Sequence, residues 1–141
     1  MAETIRIGAL ELRFLRTKEE TGGSLDMFEM TVPPNARVPL PHYHRDWDET
    51  VYGLSGRLSF TIGGARLELG PGDHAFIPRG IVHGFDNPGP EPAACLSVLT
   101  PGVLGPGYFR ELAALVAAGP PNPGVLRAIM ERHGLIPVPP G

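Results

Sequence analysis

Cysteine is almost missing from this chain. Cys95 stands alone, which excludes an internal disulfide framework and any site built from several thiolates, and fits a reducing compartment. Lysine is as scarce, Lys18 being the only one beside eleven arginines. Those arginines are scattered and the net charge is -3, so no basic stripe offers itself to a nucleic acid. No apolar run reaches the ~18 residues that a membrane span needs. Glu3 and Glu11 lie where a signal peptide would carry a basic segment and then an apolar one. The expectations are a cytoplasmic protein, no membrane or nucleic-acid partner, and a small molecule as ligand.

What the chain does have is glycine and proline, 19 and 17 of them in 141 residues. Through residue 106 they cut it into short pieces rich in branched and aromatic residues, as strands are. The strand candidates are Leu10–Leu15, Ser24–Val32, Thr50–Leu54, Arg57–Ile62, Arg66–Leu69, His74–Ile77 and Ala94–Leu99. In Arg57–Ile62 the residues Leu58, Phe60 and Ile62 alternate with Arg57, Ser59 and Thr61, giving one buried face. Gly63-Gly64 follows as a tight hairpin turn. After Gly107 the period becomes helical, with Phe109, Leu112, Ala113 and Val116 on one side. A second helix has Asn122 as N-cap, Pro123 at its first position and Gly134 as C-cap, and aligns Leu126, Ile129 and Met130. The length suits one domain: an all-β barrel over 1–106, then helices and a proline-rich extended tail over 107–141 packed on it.

Two segments carry chemistry. Residues 42 to 56 read HYHRDWDETVYGLSG, and histidines two apart on an extended backbone project to the same face. A third imidazole and a carboxylate would complete a nitrogen and oxygen set suited to Fe, Mn, Ni, Cu or Zn, and His83 and Glu49 are available for it. Residues 72 to 87 read GDHAFIPRGIVHGFDN, with Gly72 and Pro78-Arg79-Gly80 as turns bracketing His74–Ile77. That puts His83 on the next strand.

Together these segments resemble the cupin superfamily. Its first motif asks for glycine, five residues, His-x-His, three or four residues, glutamate, six residues and glycine; His42, His44, Glu49 and Gly56 match, and Ala36 replaces the leading glycine. Its second motif asks for glycine, five residues, Pro-x-Gly, two residues, histidine, three residues and asparagine; Gly72, Pro78, Gly80, His83 and Asn87 match. Nine of the ten fixed positions are present, across residues 36–56 and 72–87. The resemblance implies a double-stranded β-helix, or jelly roll, whose interior holds one divalent metal on His42, His44, Glu49 and His83, and a homodimer.

The remaining residues are read more plainly. His74 is structural, His133 complements a helix dipole, and Cys95 is a small apolar strand residue. Tyr52, Phe60, Phe76, Phe85, Met27 and Met30 mostly fill the barrel, some of them lining a cavity. Asp46, Trp47 and Asp48 form a loop over the entrance, with Trp47 as lid, dimer contact or packed indole. An apolar cavity beside a metal suits a small organic compound better than a phosphosugar. Similarity to quercetinase-like cupins points to a dioxygenase acting on an aromatic or enolic substrate, with Glu49 as catalytic base. The alternatives are a non-redox isomerase, decarboxylase or lyase, and a metal or ligand carrier without turnover.

Overall fold

The computed structural model describes residues 2–36 and 40–138. Residues 37–39 of the first motif and the last three of the proline-rich tail lie outside it. The strands in chain order are β1 (Glu3–Ile7), β2 (Leu10–Arg16), β3 (Asp26–Val32), β4 (His42–His44), β5 (Asp48–Ser55), β6 (Leu58–Ile62), β7 (Ala65–Leu69), β8 (His74–Ile77), β9 (His83–Asp86) and β10 (Ala93–Thr100). Helices α1 (Gly107–Ala117) and α2 (Pro123–Arg132) follow, and a last strand, β11 (Leu135–Pro137), ends the order. One sheet runs β1-β2-β3-β10-β5-β8 and the other β11-β4-β9-β6-β7. Every pairing is antiparallel, and the two inner faces enclose the core of a double-stranded β-helix.

Side-chain alternation decides what goes inside. In β3 the buried positions are Asp26, Phe28, Met30 and Val32, and in β10 they are Ala93, Cys95, Ser97 and Leu99. Each strand shows one face to the interior, as the period of two requires. At the β6–β7 hairpin both Gly63 and Gly64 have positive φ, 58° and 85°, which a side chain would oppose and a two-residue turn of this hand demands. Asn87, 1% exposed, ties β9 to the end of β3. Its amide donates to the carbonyls of Val32 (3.1 Å) and Glu91 (2.8 Å), so the last residue of the second motif is a staple.

The elements after Gly107 close one end of the barrel. Asn122 caps α2, its side-chain oxygen accepting from the Gly124 and Val125 amides at 2.8 and 3.3 Å. Phe109 of α1 packs on Phe14 and Phe28 with ring centroids 5.7 and 5.4 Å apart. Neither described helix is long and apolar enough to cross a membrane.

Several expectations change. The chain begins with a strand, β1, that the reading from Leu10 onward passed over. Residues Leu135–Pro137 also form a strand, pairing with the histidine-bearing β4 in the register Leu135↔His44 and Pro137↔His42. Tyr52 and Phe76 are not core: they are 45% and 55% exposed. The cause is parity, because Glu49, Val51 and Ile77 face inward and their neighbours Thr50, Tyr52 and Phe76 must face out. Phe60 and Met30 are buried as expected.

Candidate metal centre and its cavity

His42 and His44 project inward from β4, and His83 arrives from the neighbouring strand β9 directly opposite His42. One nitrogen of each imidazole lies within 4.8 Å of the others, and all three rings are buried. Glu49, the second residue of β5, reaches the cluster from the opposite sheet. Its Oε1 is 3.8 Å from His44 Nδ1 and 4.0 Å from His83 Nε2. The four residues singled out in the sequence therefore converge, with the carboxylate at the edge of the tight imidazole set. His74 does not join them; it stands exposed on β8 beside Tyr52.

The ring orientations are fixed by the backbone. His42 Nδ1 lies 2.9 Å from the Leu40 carbonyl and His83 Nδ1 lies 3.1 Å from that of Ile81. A carbonyl only accepts, so each Nδ1 carries the proton and each Nε2 keeps its lone pair for the interior. His44 Nδ1 is buried without a hydrogen-bond partner among the described residues. Its ring lies on the Trp47 indole, centroids 4.7 Å apart and planes 22° from parallel.

The charge state follows from burial. Desolvation, with the repulsion of neighbouring imidazoles added, pushes His44 down to about 2 and His83 down to about 4. His42 is lowered by burial against the support of the Leu40 carbonyl. Burial pushes Glu49 up to about 7, and the nearby Ser97 hydroxyl works the other way. At neutral pH the cluster is thus three uncharged imidazoles with open lone pairs beside one carboxyl poised to ionise. That donor set fits a divalent transition ion, which supplies the positive charge the site lacks.

A cavity of about 380 Å³ opens from this cluster, within the range of small-ligand sites. Its walls are apolar: Phe28, Met30, Phe60 and Phe85 from the sheets, Phe109, Leu112 and Met130 from the helices. Among the described residues, the polar groups on it are the three histidines, Glu49, Ser97 and Tyr108, and neither lysine nor arginine lines it. The sequence had α1 and α2 packed on the barrel; that their apolar faces wall the cavity itself is what it did not show. Asp46, Trp47 and Asp48 do not line this cavity, which corrects their reading as a loop over its entrance. Trp47 is 0% exposed and is the packed indole. Asp48 is a clasp between the two motifs, accepting from Arg79 N–H at 2.8 Å and from its guanidinium Nε and Nη2, both at 3.2 Å. His133 ends α2 with Nε2 3.4 Å from Glu111 Oε1 and is not one of the clustered imidazoles.

Comparison with known proteins agrees with this geometry. The cupin domain family matches residues 28–99, more than half of the chain. Quercetin 2,3-dioxygenase of Bacillus subtilis is 29% identical over 100 residues, which are 71% of this chain and 29% of the dioxygenase. Among solved structures, a predicted oxalate decarboxylase of Thermotoga maritima is 27% identical with a TM-score of 0.63, covering 71% of this chain and 91% of that one. A sugar phosphate isomerase of Silicibacter pomeroyi is 30% identical with a TM-score of 0.54, covering 63% of this chain and 59% of that one. The chain thus spans less than two thirds of the dioxygenase and of the isomerase.

Proposed function

From the premise that the chain belongs to the cupin family, we propose that it is a metal-dependent dioxygenase acting on a small aromatic or enolic compound. His42, His44, Glu49 and His83 hold one divalent ion, Fe, Mn, Ni, Cu or Zn. The observation that carries this reading is the cavity. Three imidazoles and a carboxyl meet on walls that are otherwise largely apolar and, among the described residues, carry no cationic side chain, which favours a flat, charge-poor molecule with an oxygen-bearing edge over a phosphosugar. The kinship with quercetin 2,3-dioxygenase supports the same substrate chemistry.

A bound divalent ion supplies Lewis acidity and, if redox-active, an electron-transfer centre. The chain's own contributions are separate. The backbone-locked His42 and His83 rings hold their lone pairs toward one point. The aromatic walls align a planar substrate and exclude water. Glu49, near neutrality, takes a proton from a substrate hydroxyl at a carboxylate oxygen and so acts as base. The solitary cysteine supports a cytoplasmic location. Tyr52 and Phe76, exposed at diagonal positions on the outer face of β5 and β8, support a homodimer through that face.

Protein purified without added metal or nickel resin is expected to contain close to one ion per chain by elemental analysis. Turnover of flavonols and simpler dihydroxy-aromatic probes is expected in air and not under nitrogen. Undiminished anaerobic turnover would replace this reading with a non-redox isomerase, decarboxylase or lyase. Failure to bind metal after reconstitution would leave a non-catalytic binding barrel.

Trp47 makes binding visible, because the only tryptophan stacks on His44. Titrating metal-free protein with Cu²⁺ is expected to quench its emission with a one-to-one endpoint. The quench should vanish in the variant H42A/H44A/H83A, and its survival there would place the ion elsewhere.

A further inference from the structure

We propose that Ser97 is a positioning residue for Glu49: its hydroxyl, unpaired on the inner face of β10, holds the carboxylate oxygen that the metal leaves free. This rests on the metal reading of the site.

The geometry comes from the register of β5 on β10. Leu99 lies opposite Glu49 and Ser97 opposite Val51, so Ser97 and Glu49 are diagonal neighbours on one sheet face, within reach of each other's side chains. Ser97 is 0% exposed and lines the cavity. Its Oγ is buried and, among the described residues, makes no hydrogen bond of good geometry, although it lies close enough to Glu49 to hold that carboxyl down against burial. A buried hydroxyl left unpaired is costly, and a strand facing an apolar core would carry valine or alanine at lower cost.

The adjacent group is its complement. Glu49 turns Oε1 toward His44 and His83, which leaves its second oxygen as an acceptor. A hydroxyl offers one donor, which is what that oxygen can accept. With Oε1 committed to a metal, a bond from Ser97 to the other oxygen fixes the carboxylate plane. Partners of this kind typically change metal affinity by about 10-fold to 100-fold.

Two readouts of Ser97→Ala are therefore expected to move in opposite senses. In chelator-stripped protein the melting temperature should hold or rise, because an unpaired buried hydroxyl has gone. The dissociation constant for Zn²⁺, measured by competition with a chromophoric chelator, should increase about 10-fold or more, and the Zn²⁺-induced rise in melting temperature should shrink with it. Ser97→Thr, which keeps the hydroxyl and points its methyl group at the cavity, should bind Zn²⁺ within about threefold of the native chain. Equal Zn²⁺ affinity in Ser97→Ala and native protein would overturn the proposal while leaving the metal reading intact. So would a Thr variant as weak as the Ala variant, since the hydroxyl would then not be the cause. Native protein that binds neither Zn²⁺ nor Ni²⁺ would overturn both.

Discussion

Metal affinity is expected to fall roughly a hundredfold between pH 8 and pH 5 in the native chain and to fall much less over that range in Glu49→Gln. Ligands must be deprotonated to bind, so a proton on any of them competes with the ion. His83 and His44 do not supply that competition, being pushed down to about 4 and about 2, and His42, lowered by burial, supplies less of it than an ordinary imidazole. Glu49 does, because burial raises it to about 7. A group raised in this way is mostly protonated below pH 7, and each further unit of acidity costs about one factor of ten in apparent affinity. Three histidines at their ordinary value near 6.5 would instead give a loss of several orders of magnitude by pH 5. Isothermal titration with Zn²⁺ at half-unit pH steps separates the cases. A steep loss that persists in Glu49→Gln would assign the competing protons to imidazoles. A flat native profile would remove Glu49 from the ligand set.

Much of this site was legible because it depends on spacing along strands. His-x-His on extended backbone has to present two rings to one face, and it does so on β4. The turn Gly63-Gly64 and the Asn122 cap were legible for the same reason, since each is a local device whose residues are adjacent. What the sequence hid is what depends on distant partners. β11 has three residues, too few for an alternation signal, and exists because it pairs with β4 from some ninety positions away. The cavity is hidden likewise: periodicity shows that α1 and α2 have apolar faces and says nothing of what they cover. Tyr52 and Phe76 looked like core by residue type, and only the parity fixed by inward Glu49 and Ile77 sends them outside. Ser97 gave no sign at all, because a serine in a strand is ordinary until its neighbours are known.

Trp47→Ala is expected to cost about 3–5 kcal/mol of folding stability, against about 5–15 kcal/mol for a whole domain of this kind. The indole is 0% exposed and packs where β4 meets the turn that leads into β11. On one face it stacks on His44. It also meets Gly134, where an added Cβ would come within 3.0 Å of Trp47 Cζ3 and where φ is +88°. Removing the ring therefore opens a cavity beneath the helix-to-β11 turn and takes away the flat wall that holds one imidazole. Trp47→Phe should be milder, at about 1–2 kcal/mol or less. It keeps most of the ring area and deletes the indole N–H, which is buried without a partner and whose unsatisfied burial itself costs about 1–3 kcal/mol. Urea unfolding followed by circular dichroism measures both, provided the slopes match that of the native chain. The alanine variant should also bind metal more weakly than the phenylalanine variant, since only the latter keeps a face for His44. An alanine variant within about 1 kcal/mol of native, well below the usual cost of emptying an aromatic core position, would mean that the indole fills space without bracing the site.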